Sequence, residues 1–354
     1  MKIVIDDKIP YIRGVIEGFN IDADVVYLPG KSISRADVKD ADALIIRTRT
    51  RCNRELLEGS KVKFIATATI GYDHIDTKYC QEAGIYWTNC PGCNSESVAQ
   101  YMHSVLLLLK REKGMDLKSL TLGIVGVGHV GSKVADIGRK LNMKVLLCDP
   151  PRAKREGDFS FCSIEDIIGQ SDIITFHTPL VRAGKYATYH IADKTFFDNL
   201  SKKTVIINTS RGEVVDNQAL LQALNDGEVV NAVIDVWENE PDISLPLLNK
   251  VYIGTPHIAG YAADGKANAT RMSLEAFCKF FGINMTFHIA PPSSGVNEIK
   301  AKNEEEALLQ IYNPLNDSNK LKAEPKKFEW FRGNYPLRRQ REAYKITYTA
   351  TSPI

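Results

Sequence analysis

The sequence has no long hydrophobic run. Its longest apolar stretch, within VLLLLK at 105–110, is far short of the roughly 20 residues that cross a bilayer. It has no excess of charge of one sign: 45 basic residues face 43 acidic ones, a formal net charge of +2. That balance gives no reason to expect a nucleic-acid or membrane partner. Cysteine is sparse and scattered, with an odd count of seven, which suits reduced thiols and a cytoplasmic chain better than a disulfide framework. The first ten residues, MKIVIDDKIP, carry no apolar core and no cleavage site and do not read as a secretory signal. Repeats of solenoid period and low-complexity tracts are also missing.

What is present is a 354-residue chain with 44% hydrophobic and 25% charged residues, the composition of a soluble globular protein of two or three domains. One cysteine pair needs weighing. Cys90 and Cys93 in CPGC have redox or half-metal-site spacing, but no second pair completes a zinc set, so no metal site is expected. The pair also falls too late in its domain for a thioredoxin-like site, and the favoured reading is a tight turn before a helix.

Apolar runs alternate with helical segments over the first ninety residues. Strand candidates are 2–6, 43–47, 63–68 and 85–87, with helical spacing in Ile12, Val15, Ile16, Phe19 and in Ile75, Tyr79, Ala83. Strands apolar on both faces between helices predict a parallel sheet covered on both sides. A long helix is expected over 95–114, crossing between domains. A second alternation supplies strands at 121–127, 144–149, 172–177, 204–208, 229–236 and 251–255, with helices near 130–141 and 216–226, a doubly wound unit. A returning helix is expected over about 264–281. Beyond 290 the composition turns to proline, serine and charge, then to an aromatic and basic stretch, FEWFRGNYPLRRQREAYKI, read as a small appended module.

GVGHVG places Gly126, Gly128 and Gly131 directly after an apolar strand and at the opening of a helix, with Asp149 at the end of the next strand. That context makes the motif a dinucleotide fingerprint. The glycines allow the turn, the approach of a pyrophosphate and close helix packing, and the helix N-terminus offers free N–H groups to phosphates. Asp149 can accept from the adenosine ribose and would repel a 2′-phosphate, favouring NAD over NADP, although Arg152 lies nearby. Further on, NTSRGEVVD puts Arg211 just past one strand, VIDVWENEP puts Asp235 and Glu240 at the end of the next, and TPHIAGY puts His257 at the end of the one after. Ligands of open parallel sheets bind beyond the carboxyl ends of the strands, so ionisable groups of three kinds converge beside the cofactor.

With HTPL at 177–180, these motifs together resemble the NAD-dependent D-isomer-specific 2-hydroxyacid dehydrogenases over residues 1 to about 285. The resemblance implies two doubly wound domains, a flavodoxin-like substrate domain and a Rossmann NAD domain, plus a small C-terminal α+β dimerisation domain. The implied boundaries are 1–94 with 259–289 for the substrate domain, 95–258 for the NAD domain and 290–354 for the dimerisation domain. It implies His257 as the acid–base residue, Glu240 as its partner, and Arg211 as the grip on the substrate carboxylate. His129, Val130, Thr178, Asp235 and Gly260 become cofactor contacts beside Gly126, Gly128, Gly131 and Asp149. Thr48, Thr69 and Tyr261 become substrate contacts. ATATIGYDHID (66–76), PGCNSESV (91–98), CDPPRA (148–153) and GTPHIAGYAADGKA (254–267) resemble family members whose substrate is a phosphorylated hydroxy acid, and Arg47, Arg49 or Arg51 of RTRTR could meet the phosphate. A homodimer is expected, with Arg338 or Arg339 as candidates to reach a neighbouring subunit's site. The competing expectations are a different D-2-hydroxy acid as substrate, or a non-catalytic NAD-sensing protein on the same fold.

Overall fold

A computed structural model describes residues 1–18, 23–158 and 160–349. Phe19, the last member of the first apolar periodicity, lies outside the described residues, as do 350–354. The chain divides into two compact units, Met1–Asn94 with Ala262–Ser293, and Ser95–Tyr261 with the residues from Ser294 onward. The tail, expected as a third domain over 290–354, therefore falls within the second unit.

In the first unit five strands form a parallel sheet: β1 (Lys2–Asp6), β2 (Asp24–Leu28), β3 (Ala43–Ile46), β4 (Phe64–Thr67) and β5 (Tyr86–Thr88), in the order β2-β1-β3-β4-β5. The central strands β3 and β4 are buried at every residue, which is why they read as unbroken apolar runs. The order reverses between β1 and β3, so the crevice past their carboxyl ends is a topological switch point. Thr48 stands exposed beyond β3, and Arg47 beside it donates from Nη1 to the Lys8 carbonyl beyond β1 at 3.1 Å. The returning helix Ala263–Phe280 packs on β4, burying Ala269, Leu274, Phe277 and Cys278 with Phe64.

The second unit holds a six-stranded parallel sheet of β6 (Thr121–Val125), β7 (Lys144–Cys148), β8 (Ile173–Phe176), β9 (Thr204–Asn208), β10 (Val229–Ile234) and β11 (Ile253–Gly254), in the order β11-β10-β9-β8-β6-β7. Its switch point lies between β6 and β8. The long helix, expected to cross between domains, is Ser95–Lys113 and belongs to this unit, where Met102, Val105, Leu106 and Leu109 join Leu122, Ile124 and Val134 in one core. The tail adds a two-stranded parallel sheet, β12 (Glu298–Ala301) with β13 (Lys345–Tyr348), and the helices Glu304–Ile311, Pro314–Ala323 and Phe328–Gly333. Among the described residues no helix is long and apolar enough to cross a membrane.

Cys90 and Cys93 are free, buried thiols at the ends of a turn. Burial pushes their pKa values up to about 11 and about 12. Cys90 Sγ lies 3.2 Å from the Ala269 carbonyl and 3.3 Å from Ser273 Oγ, so this thiol anchors the returning helix.

Candidate active site

The fingerprint loop runs from the end of β6 into the helix His129–Lys140. Gly126 has φ +88°, and a side chain there would press on the His177 backbone; one at Gly131 would collide with the Gly126 carbonyl. These two glycines let the loop close on β8 and the helix sit tight on the turn. Gly128 differs, because a Cβ there would meet nothing within 4 Å. The space it opens lies before a helix N-terminus that carries no side-chain cap, as a pyrophosphate site requires. His129 is exposed and Val130 half-buried at that terminus.

Two further observations fit NAD. Thr178, just past β8 on the other side of the switch point, has a buried Oγ1 with no hydrogen-bond partner among the described residues, a polar atom that a bound ligand would satisfy. Asp149 follows β7 and accepts from Val127 N–H at 2.9 Å and from Arg152 N–H at 2.9 Å. It thus ties the fingerprint loop to the next helix, with acceptor capacity left on a half-buried carboxylate. Arg152, the residue that could have welcomed a 2′-phosphate, is occupied. It donates to the Val127 carbonyl at 2.6 Å and to both oxygens of Glu156 at 3.0 Å.

Beyond the neighbouring strands β9, β10 and β11 the loops interlock. Arg211 lies three residues past β9 and donates from Nη1 to the Ser210 carbonyl at 2.8 Å. Gly212 follows it for a steric reason: any side chain would run into the Trp237 carbonyl. The Arg211 loop therefore lies directly on the loop that carries Glu240. The Trp237 indole, almost fully buried, donates to the Thr255 carbonyl at 2.9 Å and links that loop to the one carrying His257.

His257 Nδ1 is 2.8 Å from Glu240 Oε2, and Glu240 Oε1 accepts from Trp237 N–H at 2.9 Å. Burial alone would raise the Glu240 pKa, but the facing imidazole, the Trp237 N–H and the charge of Arg332 outweigh it and hold the carboxyl below its ordinary value. An ionised Glu240 accepts from Nδ1–H, which leaves Nε2 as the imidazole's working nitrogen. His257 has φ +57°, and its N–H donates to the Asp235 carbonyl at 2.8 Å.

Asp235 is 1% exposed. It accepts from Thr255 Oγ1 at 2.6 Å, Ile258 N–H at 2.8 Å and Ala259 N–H at 3.0 Å. Burial raises its pKa, while those donors favour the carboxylate. In this structure Asp235 organises the histidine loop, a part that its place in the sequence did not reveal. His177 and Thr175 also escaped attention. His177 sits between the Thr175 and Thr209 hydroxyls at 3.0 and 3.2 Å, and desolvation pushes its pKa down to about 3, so it is a neutral spacer between β8 and β9.

In the first unit, Thr69 just beyond β4 belongs to a directed chain. Its hydroxyl donates to the Gly71 carbonyl at 2.8 Å, so at 2.7 Å it accepts from Thr67, which in turn faces His74 Nε2 at 2.9 Å. Burial drives the His74 pKa down to about 4, so a neutral His74 protonated on Nε2 completes the relay. Gly260 and Tyr261 are half-buried at the end of the histidine loop.

The tail was the least legible part. Arg338 is 5% exposed, and its Nη2 donates to the Ala259 carbonyl at 2.5 Å, with its guanidinium 4.2 Å from the Tyr312 ring centroid. It holds the histidine loop of its own chain. The Arg339 carbonyl accepts from Gln100 Nε2 at 3.1 Å.

A dinucleotide loop at the switch point, with an imidazole–carboxylate pair and an arginine on adjacent strand ends, defines an NAD-dependent dehydrogenase. Residues 98–259 match the family of the D-isomer specific 2-hydroxyacid dehydrogenase, NAD binding domain. The chain belongs to the D-isomer specific 2-hydroxyacid dehydrogenases. It is 60% identical to erythronate-4-phosphate dehydrogenase of Bacteroides thetaiotaomicron over 98% of this chain and 99% of that one. The corresponding Porphyromonas gingivalis enzyme is 42% identical over 99% and 96%. Among solved structures, D-lactate dehydrogenase from Aquifex aeolicus, complexed with NAD and lactic acid, is similar at TM-score 0.67 and 26% identity, over 80% of this chain and 96% of that one. An NAD+-bound 3-phosphoglycerate dehydrogenase from Entamoeba histolytica is similar at TM-score 0.65 and 25% identity, over 81% and 98%.

Proposed function

We propose that the chain oxidises 4-phospho-D-erythronate to (R)-3-hydroxy-2-oxo-4-phosphooxybutanoate with NAD, a step in making pyridoxine 5′-phosphate. The observation that carries the reading is the His257–Glu240 pair at 2.8 Å, set past β11 and β10 on the edge where the fingerprint loop leaves β6. Bound NAD supplies the acceptor for the C2 hydride. His257 Nε2 takes the C2 hydroxyl proton as the carbonyl forms, and an imidazole suits that task because its unperturbed pKa is near neutrality. Glu240 fixes the tautomer and stabilises the imidazolium. Arg211 grips the substrate carboxylate and polarises the oxygen at C2, for which a planar fork is better shaped than an ammonium.

Gly126, Gly128, His129, Val130 and Gly131 hold the pyrophosphate, and Asp149 the ribose. Thr178, Asp235 and Gly260 complete the cofactor contacts. Thr48, Thr69 and Tyr261 contact the substrate, and Arg47, Arg49 or Arg51 meets its phosphate. The exposed basic segment beyond β3, at a topological switch point, supports that assignment. The protein acts in the cytoplasm as a homodimer. Its seven unpaired cysteines support the first statement, and Trp330 and Leu337, 58% and 46% exposed in the tail, support the second. Light scattering that returns a monomer mass would remove the dimer.

The test of the activity is parallel turnover of 4-phosphoerythronate, 3-phosphoglycerate and D-lactate with NAD, with a 2-oxo acid present to reoxidise bound NADH. The first should have the highest kcat/KM. A higher value for 3-phosphoglycerate would reassign the substrate. No turnover of any of them would favour an NAD-sensing protein.

A further inference from the structure

Thr69 stands just past β4 and is half-buried, while Thr67, at the end of that strand, is fully buried. The Thr69 hydroxyl has one proton to give. The Gly71 carbonyl, 2.8 Å away, takes it, because a carbonyl only accepts. Thr67 Oγ1, 2.7 Å from Thr69 Oγ1, must then donate to it. With its own proton spent, Thr67 accepts in turn from His74 Nε2 at 2.9 Å. The reverse direction would leave two bare oxygens, Thr69 Oγ1 and the Gly71 carbonyl, 2.8 Å apart with no hydrogen between them. The chain therefore runs one way, from His74 through Thr67 and Thr69 to Gly71.

A hydroxyl oxygen has two acceptor places. Thr67 fills one on Thr69 and leaves the other. The neighbouring carbonyls of the loop are engaged as well. That of Thr69 accepts from Cys90 N–H at 2.9 Å, that of Ile70 from Asn89 Nδ2 at 2.6 Å, and that of Tyr72 from Ile75 N–H at 2.9 Å. Toward a ligand the Thr69 hydroxyl is thus an acceptor with no proton of its own to offer. An anion is the wrong partner for it, and a donor is the right one. In 4-phospho-D-erythronate the carboxylate only accepts, and so does the phosphate once doubly ionised above about pH 6. The donors are the hydroxyls at C2 and C3, and the C2 proton is the one that goes to His257.

We infer that Thr69 is a specificity-determining residue: its hydroxyl oxygen, with its proton committed to the Gly71 carbonyl, accepts from the C3 hydroxyl of the substrate. This rests on the proposal that Thr69 contacts 4-phosphoerythronate. It gives the first unit a means of choosing among 2-hydroxy acids. D-lactate carries a methyl group at C3 and 3-phosphoglycerate a phosphate ester, and neither has a hydroxyl there to donate.

The test compares kcat/KM for 4-phosphoerythronate with that for its 3-deoxy analogue, 2-hydroxy-4-phosphobutanoate, on the full-length protein with NAD. The analogue keeps the carboxylate, the C2 hydroxyl and the phosphate. The unaltered protein should prefer 4-phosphoerythronate about tenfold, the scale of one hydrogen bond between neutral groups. Thr69→Val keeps the shape of the side chain and removes its oxygen, and should shrink the preference to about twofold. Thr69→Ser keeps the oxygen and should keep the preference. General damage to the loop would slow both substrates together, so the ratio reads the lost contact and not lost structure. Thr69→Ala removes the same oxygen and carries the test if the valine variant fails to fold. Equal kcat/KM for the two compounds in the unaltered protein would overturn the inference. So would a tenfold preference that survives in Thr69→Val or Thr69→Ala, since another group would then receive the C3 hydroxyl. Absence of turnover of both compounds in the unaltered protein would overturn the functional reading itself, and the inference with it.

Discussion

Two histidine–glutamate pairs hang on the loop after β10, and their likeness is instructive. His257 pairs with Glu240 at 2.8 Å and His190 with Glu238 at 2.6 Å. Both histidines have left-handed backbones, with φ +57° and +49°. Their side chains are 28% and 26% exposed, so burial does not separate them. Each glutamate spends its second oxygen on a backbone N–H, Trp237 for Glu240 and Asn217 for Glu238. The imidazoles differ in what is left over. His190 presents Nε2 to Glu238, has Asp216 3.7 Å from Nδ1, and lies flat under Tyr189 with centroids 4.1 Å apart. His257 presents Nδ1 to its carboxylate, and Nε2 makes no bond among the described residues. An imidazole between two acids is a structural clamp. One with a single nitrogen committed, at a strand end beside a dinucleotide loop, can exchange a proton with a ligand.

The comparison can be broken from the catalytic side first. Glu240→Gln should lower kcat by about a thousandfold, since removing the orienting anion costs both tautomer control and stabilisation of the imidazolium. Glu238→Gln should leave kcat within about threefold. Steady-state kinetics on the two variants decide it, and equal losses would erase the distinction. Arg211→Met should cost about a hundredfold in kcat/KM, the scale of losing one preorganised donor to developing charge, while the KM for NAD stays near its original value.

His190→Gln sharpens the structural side. It should cost about 1–2 kcal/mol of stability, read from urea denaturation, through the lost bond to Glu238 and the loosened Asn217 contact. Last comes the pH effect. His177 and His74 are held neutral, with pKa values pushed down to about 3 and about 4 by burial. Unfolding frees both rings to take a proton below about pH 6.5, so stability should fall as pH drops through that value. The slope is at most about 1.4 kcal/mol per pH unit for each histidine. Glu240, with its carboxyl held low, acts in the same direction at more acid pH. His177→Asn should flatten the slope between pH 6.5 and 5, as followed by the urea midpoint.

The sheet centres were legible because strands buried on both faces leave unbroken apolar runs, as in β4 and β9. β2 was missed: it lies at an edge, starts with an exposed Asp24 and has no fully buried residue. The segment 291–325 was assigned no helix or strand, although Asn303 and Asn313 cap its two helices, and Asn before a Glu run or a Pro is a start signal. Arg211, Glu240 and His257 could be found because strand ends share one edge. The contacts of Arg332 and Arg338 could not. The two arginines lie 71 and 79 residues from their partners Tyr261 and Ala259, and only tertiary packing brings them together. The role of Asp235 was hidden for the same reason, since its oxygens accept from Thr255, Ile258 and Ala259, twenty or more positions on.

The most direct measurement is a single turnover of 4-phosphoerythronate with NAD, followed by NADH absorbance, in His257→Ala and His190→Ala side by side. Loss of about a thousandfold or more in the first, with the second within about threefold and NAD affinity kept in both, is the predicted result. Comparable rates in the two variants, or the larger loss in His190→Ala, would contradict the assignment of proton transfer to His257.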